Sequence, residues 1–154
     1  AADDLAGLVR FARTSKVGLT IVGPEAPLVL GVVDEFTAAG LRCFGPTRAA
    51  ARLEGSKAFM KEFLRRHGIP TAAYATFTRD DFDAAWVQAR RAPLVVKADG
   101  LAAGKGVVIC ATTDEAVTTA EAMMSGAEAC RSRRRFTIWV ERESDIATVV
   151  NTIP

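Results

Sequence analysis

Apolar and polar positions along the chain switch repeatedly between a helical and a strand-like period. Leu5, Leu8, Val9 and Ala12 fall on one helical face behind Asp3 and Asp4, either of which can cap that helix. A strand over 18–22 follows. After the loop GPEAPL, the spacing of Val29, Val32, Val33 and Phe36 predicts a second helix stopped by Gly40, then a short strand over 41–44 and a Gly-Pro turn at 45–46. Strands this apolar do not expose a face to water, so a mostly parallel sheet covered by helices is expected here. The pattern opens on a helix with no strand before it. Two strands do not make an independently stable sheet, so sequence is expected to be missing at the N-terminus.

From residue 47 the grouping changes. Thr47 caps a predicted helix over 48–53 and Ser56 caps another, with Phe59, Met60, Phe63 and Leu64 as its buried stripe and Lys57, Lys61 and Arg65 outside it. HGIPTA leads into a strand over 74–77. Asp80 and Asp81 open a helix that turns Phe82, Ala85, Trp86 and Ala89 toward a core and ends before Pro93. Strands over 94–97 and 107–110 enclose a glycine-rich loop, and Thr113 with Asp114 and Glu115 starts an amphipathic helix running to Met124. A further strand is predicted from Thr137 to Val140.

The glycine-rich stretch VVKADGLAAGKGVVI spans 95–109. It is not a P-loop: Asp99 stands where that motif needs its first glycine, Gly106 replaces the Ser or Thr that binds magnesium, and a strand follows instead of a helix. Two strands joined by glycines make a flap whose amides can approach phosphates without Cβ interference. Lys97 lies in the apolar run PLVVKA, where a cation is costly unless an anion neutralises it. It can also snorkel to a strand edge above a loose hairpin, and the loop by itself leaves both readings open.

Composition adds exclusions. With 154 residues, 49% hydrophobic and 25% charged, and a formal charge of +2, the chain suits about one soluble globular domain with no special polyanionic partner. No run of about 18 apolar residues suggests a membrane span, and AADDLAGLVRF lacks the features of a signal peptide. Cys43, Cys110 and Cys130 have no metal spacing and suit a reducing cytoplasm as small apolar fillers. His67 stands at a helix end, where the dipole explains it. Arg131, Arg133, Arg134 and Arg135 form a basic patch read as a solvated tail, not a nucleic-acid site.

Four segments in order, VGPEAPLVLGVVDEF, CFGPTRAAARLEGSK, LEGSKAFMKEFLRRHGIPTA and VVKADGLAAGKGVVI, resemble the phosphoribosylamine-glycine ligases, the glycinamide ribonucleotide synthetases of the ATP-grasp group. The resemblance runs from about residue 15 to about residue 124. It implies an α/β fold, a partial Rossmann-like N-terminal domain followed by part of an ATP-grasp domain. It also implies ATP-dependent ligation of glycine to 5-phosphoribosylamine through glycyl phosphate, in purine biosynthesis. By position, Lys57 and Lys97 match the lysines directed at ATP phosphates, and Gly100, Gly104, Lys105 and Gly106 match the flap that closes over them. Without the resemblance, Lys57 reads as a solvated helix position. Gly23, Pro24 and Glu25 match the segment facing phosphoribosylamine, although Glu25 alone reads as a first-turn acid.

The implied organisation is a remainder of the substrate-binding domain over 1–47, a helical connection over 48–72, the small ATP-grasp subdomain with its flap over 73–126, and an atypical tail over 127–154, frameshifted or disordered. Glu141 is a poor match to the adenine-contacting segment. The family's magnesium ligands fall in sequence without a counterpart here, so no metal-binding residue is assigned. The expected partners are glycine, 5-phosphoribosylamine and ATP, with no nucleic acid and no membrane. Truncation is expected to leave little or no activity. The alternative is a noncatalytic ATP-binding fragment that needs a partner chain.

Overall fold

The computed structural model describes residues 1–101, 106–125 and 135–140. The chain forms two compact units, residues 1–56 and 57–154. Among the described residues the fold is mixed α/β, with one parallel and one antiparallel sheet.

In the first unit, α1 (Leu5–Thr14) is capped by Asp4, which accepts the Gly7 N–H at 2.9 Å. It leads into β1 (Thr20–Ile21), which pairs in parallel with β2 (Cys43–Phe44). The single helix expected between them is two helices, α2 (Glu25–Leu30) and α3 (Val32–Ala38). The break is at Gly31, whose φ of +94° ends α2 in the left-handed region where only glycine rests easily. Periodicity runs through such a break because the apolar face continues on the far side. Val32, Val33 and Phe36 are buried with Ala12, and Val17, Leu41 and Cys43 pack against them. Thr47 caps α4 (Arg48–Gly55) as expected, accepting from Ala50 N–H. Arg48 ties this helix to its neighbours: its backbone N–H donates to Asp34 Oδ2 at 2.7 Å and its guanidinium to the Leu30 carbonyl at the end of α2.

The second unit contains α5 (Lys57–Arg66), β3 (Ala73–Thr78), α6 (Ala84–Gln88), β4 (Leu94–Ala98), β5 (Val107–Cys110), α7 (Thr113–Ser125) and β6 (Arg135–Val140). The sheet order is β3-β6-β4-β5, antiparallel throughout. The strand predicted from Thr137 lies within β6, between β3 and β4. Arg135, grouped above with the basic tail, begins this strand. Cys130, Arg131, Arg133, Arg134 and Glu141 lie outside the described residues.

Opposed residues in an antiparallel ladder share a face. One face of this sheet carries Phe77, Leu94, Val96, Phe136 and Ile138, which bury Val87 of α6 and Ala116 and Ala120 of α7. The rings of Phe77, Phe82, Trp86 and Phe136 meet there at 5.5 to 5.7 Å. Helix α6 starts later than Asp80 and Asp81 suggest. Asp81 turns back to accept the Thr78 N–H and hydroxyl, leaving Asp83 to cap the helix through Trp86 N–H at 3.0 Å. At α7 the cap is Thr112, which accepts Glu115 N–H at 3.1 Å while the Glu115 carboxylate accepts Ala111 N–H at 2.8 Å. The opposite sheet face carries Tyr74, Thr76, Val95, Lys97, Val107, Ile109, Thr137 and Trp139, by register. Among the described residues, no helix is long and apolar enough to cross a membrane.

Candidate functional site

The start of the glycine-rich loop docks on the N-terminus of α5. Lys57, the first residue of that helix, donates from Nζ to the Gly100 carbonyl at 2.9 Å. Asp99 accepts the Ala58 N–H on Oδ1 at 3.2 Å, and its own N–H donates to the Arg135 carbonyl at 3.1 Å. A carboxylate at a helix start is stabilised by the dipole and a cation there is not, so Asp99 offsets the charge that Lys57 places at this end. Gly100 has φ +87°, a turn that carries its carbonyl to the lysine without a Cβ penalty. Ala98 N–H donates to the Gly106 carbonyl at 2.8 Å and closes the base of the loop. Gly104 and Lys105 lie outside the described residues.

Lys97 stands on the sheet face away from α6 and α7. Its Nζ lies 3.0 Å from the centroid of the Trp139 ring. A second ammonium, that of Lys61, reaches the same ring at 4.0 Å. Placing Lys61 outside the α5 stripe is incorrect, since it is only 1% exposed. Its Nζ donates to Thr71 Oγ1 at 2.7 Å and to the Ala72 carbonyl at 3.0 Å. The helical stripe was read from the large apolar side chains alone; in the structure Lys61 shares its face with buried Ala58, three residues earlier. Trp139 carried no sequence signal beyond its place in a predicted strand. On this same face, Val107 and Ile109 of β5 remain 45% and 49% exposed, an apolar strip beside Lys97 and Val95.

In the first unit, Gly23, Pro24 and Glu25 are exposed at the carboxyl end of β1, with Pro24 immediately before α2, without a capping hydrogen bond, and Glu25 in its first turn. The Gly45-Pro46 turn leaves the carboxyl end of the neighbouring strand, so both Gly-Pro turns sit at one end of the parallel pair. That is the end at which open α/β sheets bind ligands. Beside the two strands an apolar depression of about 730 Å³ is lined by Leu19, Ile21, Leu41 and Phe44 among others, and Gly23 to Glu25 are not in its wall.

Burial pushes the Cys43 and Cys110 thiols above their ordinary range, in keeping with packing roles. Hydrogen bonding to Arg65, at 2.6 and 2.9 Å, holds the Glu62 carboxyl below its ordinary range. Among the described residues, no three His, Cys, Asp or Glu side chains are grouped to hold a metal ion.

Residues 1–54 match the N domain of phosphoribosylglycinamide synthetase, and residues 55–143 match the ATP-grasp (A) domain of the same synthetase. The chain belongs to the phosphoribosylglycinamide synthetase family. Among members of this family, the phosphoribosylamine-glycine ligase of Yersinia pestis is 60% identical over 126 residues, which are 82% of this chain and 29% of that protein. The ligase of Allochromatium vinosum is 58% identical over 138 residues, 90% of this chain and 32% of its own length. The chain therefore spans under a third of the synthetase-family relatives it matches. Among solved structures, the Thermotoga maritima phosphoribosylamine-glycine ligase superposes with a TM-score of 0.66 at 27% identity, covering 84% of this chain and 32% of that one. The D-alanine-D-alanine ligase of Bacillus anthracis shares the fold, with a TM-score of 0.69 at 18% identity over 92% of this chain and 44% of its own.

Proposed function

We propose that the chain carries part of an ATP- and magnesium-dependent ligase that joins glycine to 5-phosphoribosylamine in purine biosynthesis. Lys57, Lys97, Gly100 and Gly106, with Gly104 and Lys105, hold the ATP phosphates, and Gly23, Pro24 and Glu25 face phosphoribosylamine at the carboxyl end of β1. Residues 1–47 belong to the substrate-binding domain, 48–72 to the connection and 73–126 to the small ATP-grasp subdomain. Phosphorylation turns the glycine carboxylate, a poor acyl donor, into glycyl phosphate, whose phosphate leaves readily when the amine attacks. The lysines offset the charge that gathers on the transferring phosphoryl group. ATP, glycine and 5-phosphoribosylamine are the partners on this reading, and the cytoplasm is the compartment.

The observation that carries this reading is the contact from Lys57 Nζ to the Gly100 carbonyl, which draws one motif lysine onto the loop that follows the other. The donor set, two ammoniums with backbone amides of a glycine loop, suits a polyphosphate. Because the chain spans under a third of its relatives, a noncatalytic ATP-binding module is the second reading. Calorimetric titration with ATP tests what they share. The chain is expected to bind, and Lys97→Ala to weaken binding about 10- to 100-fold through loss of a charge-assisted contact. No binding by the parent chain overturns both. Release of ADP dependent on glycine and phosphoribosylamine, from this chain joined to the remainder of a relative, supports the ligase. Binding without that dependence supports the module.

A further inference from the structure

Helix α2, with Gly23, Pro24 and Glu25 at its amino end, is six residues long. A helix so short is not stable by itself and takes its position from what packs on it, here chiefly α4. Two contacts fix the pair. At Gly55, the last residue of α4, an added Cβ would lie 2.9 Å from Val29 Cγ2 and 3.2 Å from Val29 Cγ1, closer than carbon atoms pack. The backbone at Gly55 is helical and outside the left-handed region, so no turn requires glycine, and a helix favours alanine there. What glycine supplies is the close approach of α2, since Val29 is β-branched and stiff at χ1. At the other end of α4, Arg48 places a cation in the first helical turn, where it opposes the dipole. Its guanidinium serves α2 instead, donating to the Leu30 carbonyl at the end of that helix, where a cation is favourable. Six helical residues span about 9 Å, so a shift imposed at Val29 or Leu30 is carried to Gly23 and Glu25.

We propose that Gly55 and Arg48 are positioning residues: through Val29 and Leu30 they set where α2 stands, and so where Gly23, Pro24 and Glu25 meet a phosphoribosyl ligand. The inference rests on the reading of that segment given above and adds to it two residues outside the segment. Binding needs the segment held within a fraction of an ångström. A methyl group at position 55 pushes α2 away from α4, and the ligand can then be met only by forcing the two helices back together.

The test is calorimetric titration of this chain with ribose 5-phosphate, a stable phosphoribosyl compound. Gly55→Ala is expected to bind about 5- to 150-fold more weakly, because binding must then bear the overpacking. Helix preference alone predicts a firmer α4 and unchanged binding, so the two effects are opposed. In a Val29→Ala background, where both Cγ atoms are gone, Gly55→Ala is expected to leave affinity unchanged. Arg48→Met, which keeps the stem and loses the donors, is expected to bind about 2- to 12-fold more weakly, with Arg48→Lys recovering part of the loss. The Arg48 pair carries the test if Gly55→Ala does not fold, as judged by circular dichroism. If the parent binds and Gly55→Ala matches it, or costs the same in both backgrounds, the role of α4 falls and the reading of Gly23 to Glu25 stands; where only the Arg48 pair can be measured, equal affinity of Arg48→Met and the parent has the same consequence. If the parent does not bind, both fall.

Discussion

A lysine that is 1% exposed must replace the water lost from its ammonium, and Lys61 does so with a hydroxyl, a carbonyl and an aromatic face. Truncating it to alanine removes packed methylenes and leaves Thr71 and Ala72 with polar groups to satisfy anew. Lys61→Ala is expected to cost about 2–4 kcal/mol, and Lys61→Met, which keeps the stem volume, clearly less; urea unfolding of the two variants measures the difference. Asp81 behaves differently because it is exposed and acts through charge. Hydrogen bonds from the Thr78 N–H and hydroxyl hold its carboxyl below the ordinary range. A carboxyl lowered in the folded state stabilises above the unfolded pKa, about 3.9, and that contribution is lost as the pH falls through the folded value. Between about pH 5 and pH 3, the urea midpoint of Asp81→Asn is therefore expected to fall less steeply than that of the parent. Asp81 was legible as a helix-opening acid but not as a turn, since both uses place an aspartate before the same apolar run.

Helix ends separate what periodicity reveals from what it hides. The ends of α1, α3 and α5 share one hydrogen-bond pattern, in which two successive N–H groups reach back to carbonyls of the last turn, as in Val17 to Ala12, Leu41 to Phe36 and Ile69 to Leu64. Gly40 and Gly68 fill the left-handed position in two of them, while α1 has Lys16 there at φ +50°. Lys16→Gly is expected to raise stability by about 0.5–1 kcal/mol by removing that strain, read as a higher urea midpoint with unchanged slope. The stop at Gly40 was readable because glycine advertises it. The break at Gly31 was not, because Val29, Val32, Val33 and Phe36 keep their spacing across it. The docking of Asp99 on α5 was hidden for another reason: it joins residues 41 positions apart, beyond any local pattern.

Across the whole chain the two units differ in how well their sheets are covered. In residues 1–56 a two-stranded pair leaves Ile21 70% and Phe44 69% exposed, and such a pair is marginal without more strands or a covering face. The four-stranded sheet of residues 57–154 buries Leu94, Val96 and Ile138 completely. Amide exchange is therefore expected to be faster at Thr20, Ile21, Cys43 and Phe44 than at Val95 and Val96, a contrast that exchange followed by NMR reads directly. Local signals made both helical coverings and nearly every strand legible in the sequence. They did not give the strand order, which depends on pairings between distant segments. The place of β6 in that order constrains how the protein can be made. Strand β3 pairs with β6 and with neither β4 nor β5, the strands next in sequence, so a nascent chain that has not yet produced residue 135 has a β4-β5 hairpin and an unmatched β3. Loops of this length close slowly relative to local structure. Until Phe136 and Ile138 have been synthesised, the chain lacks the middle of the surface on which α6 and α7 settle, and through that interval β3 is the edge most open to mispairing with another chain.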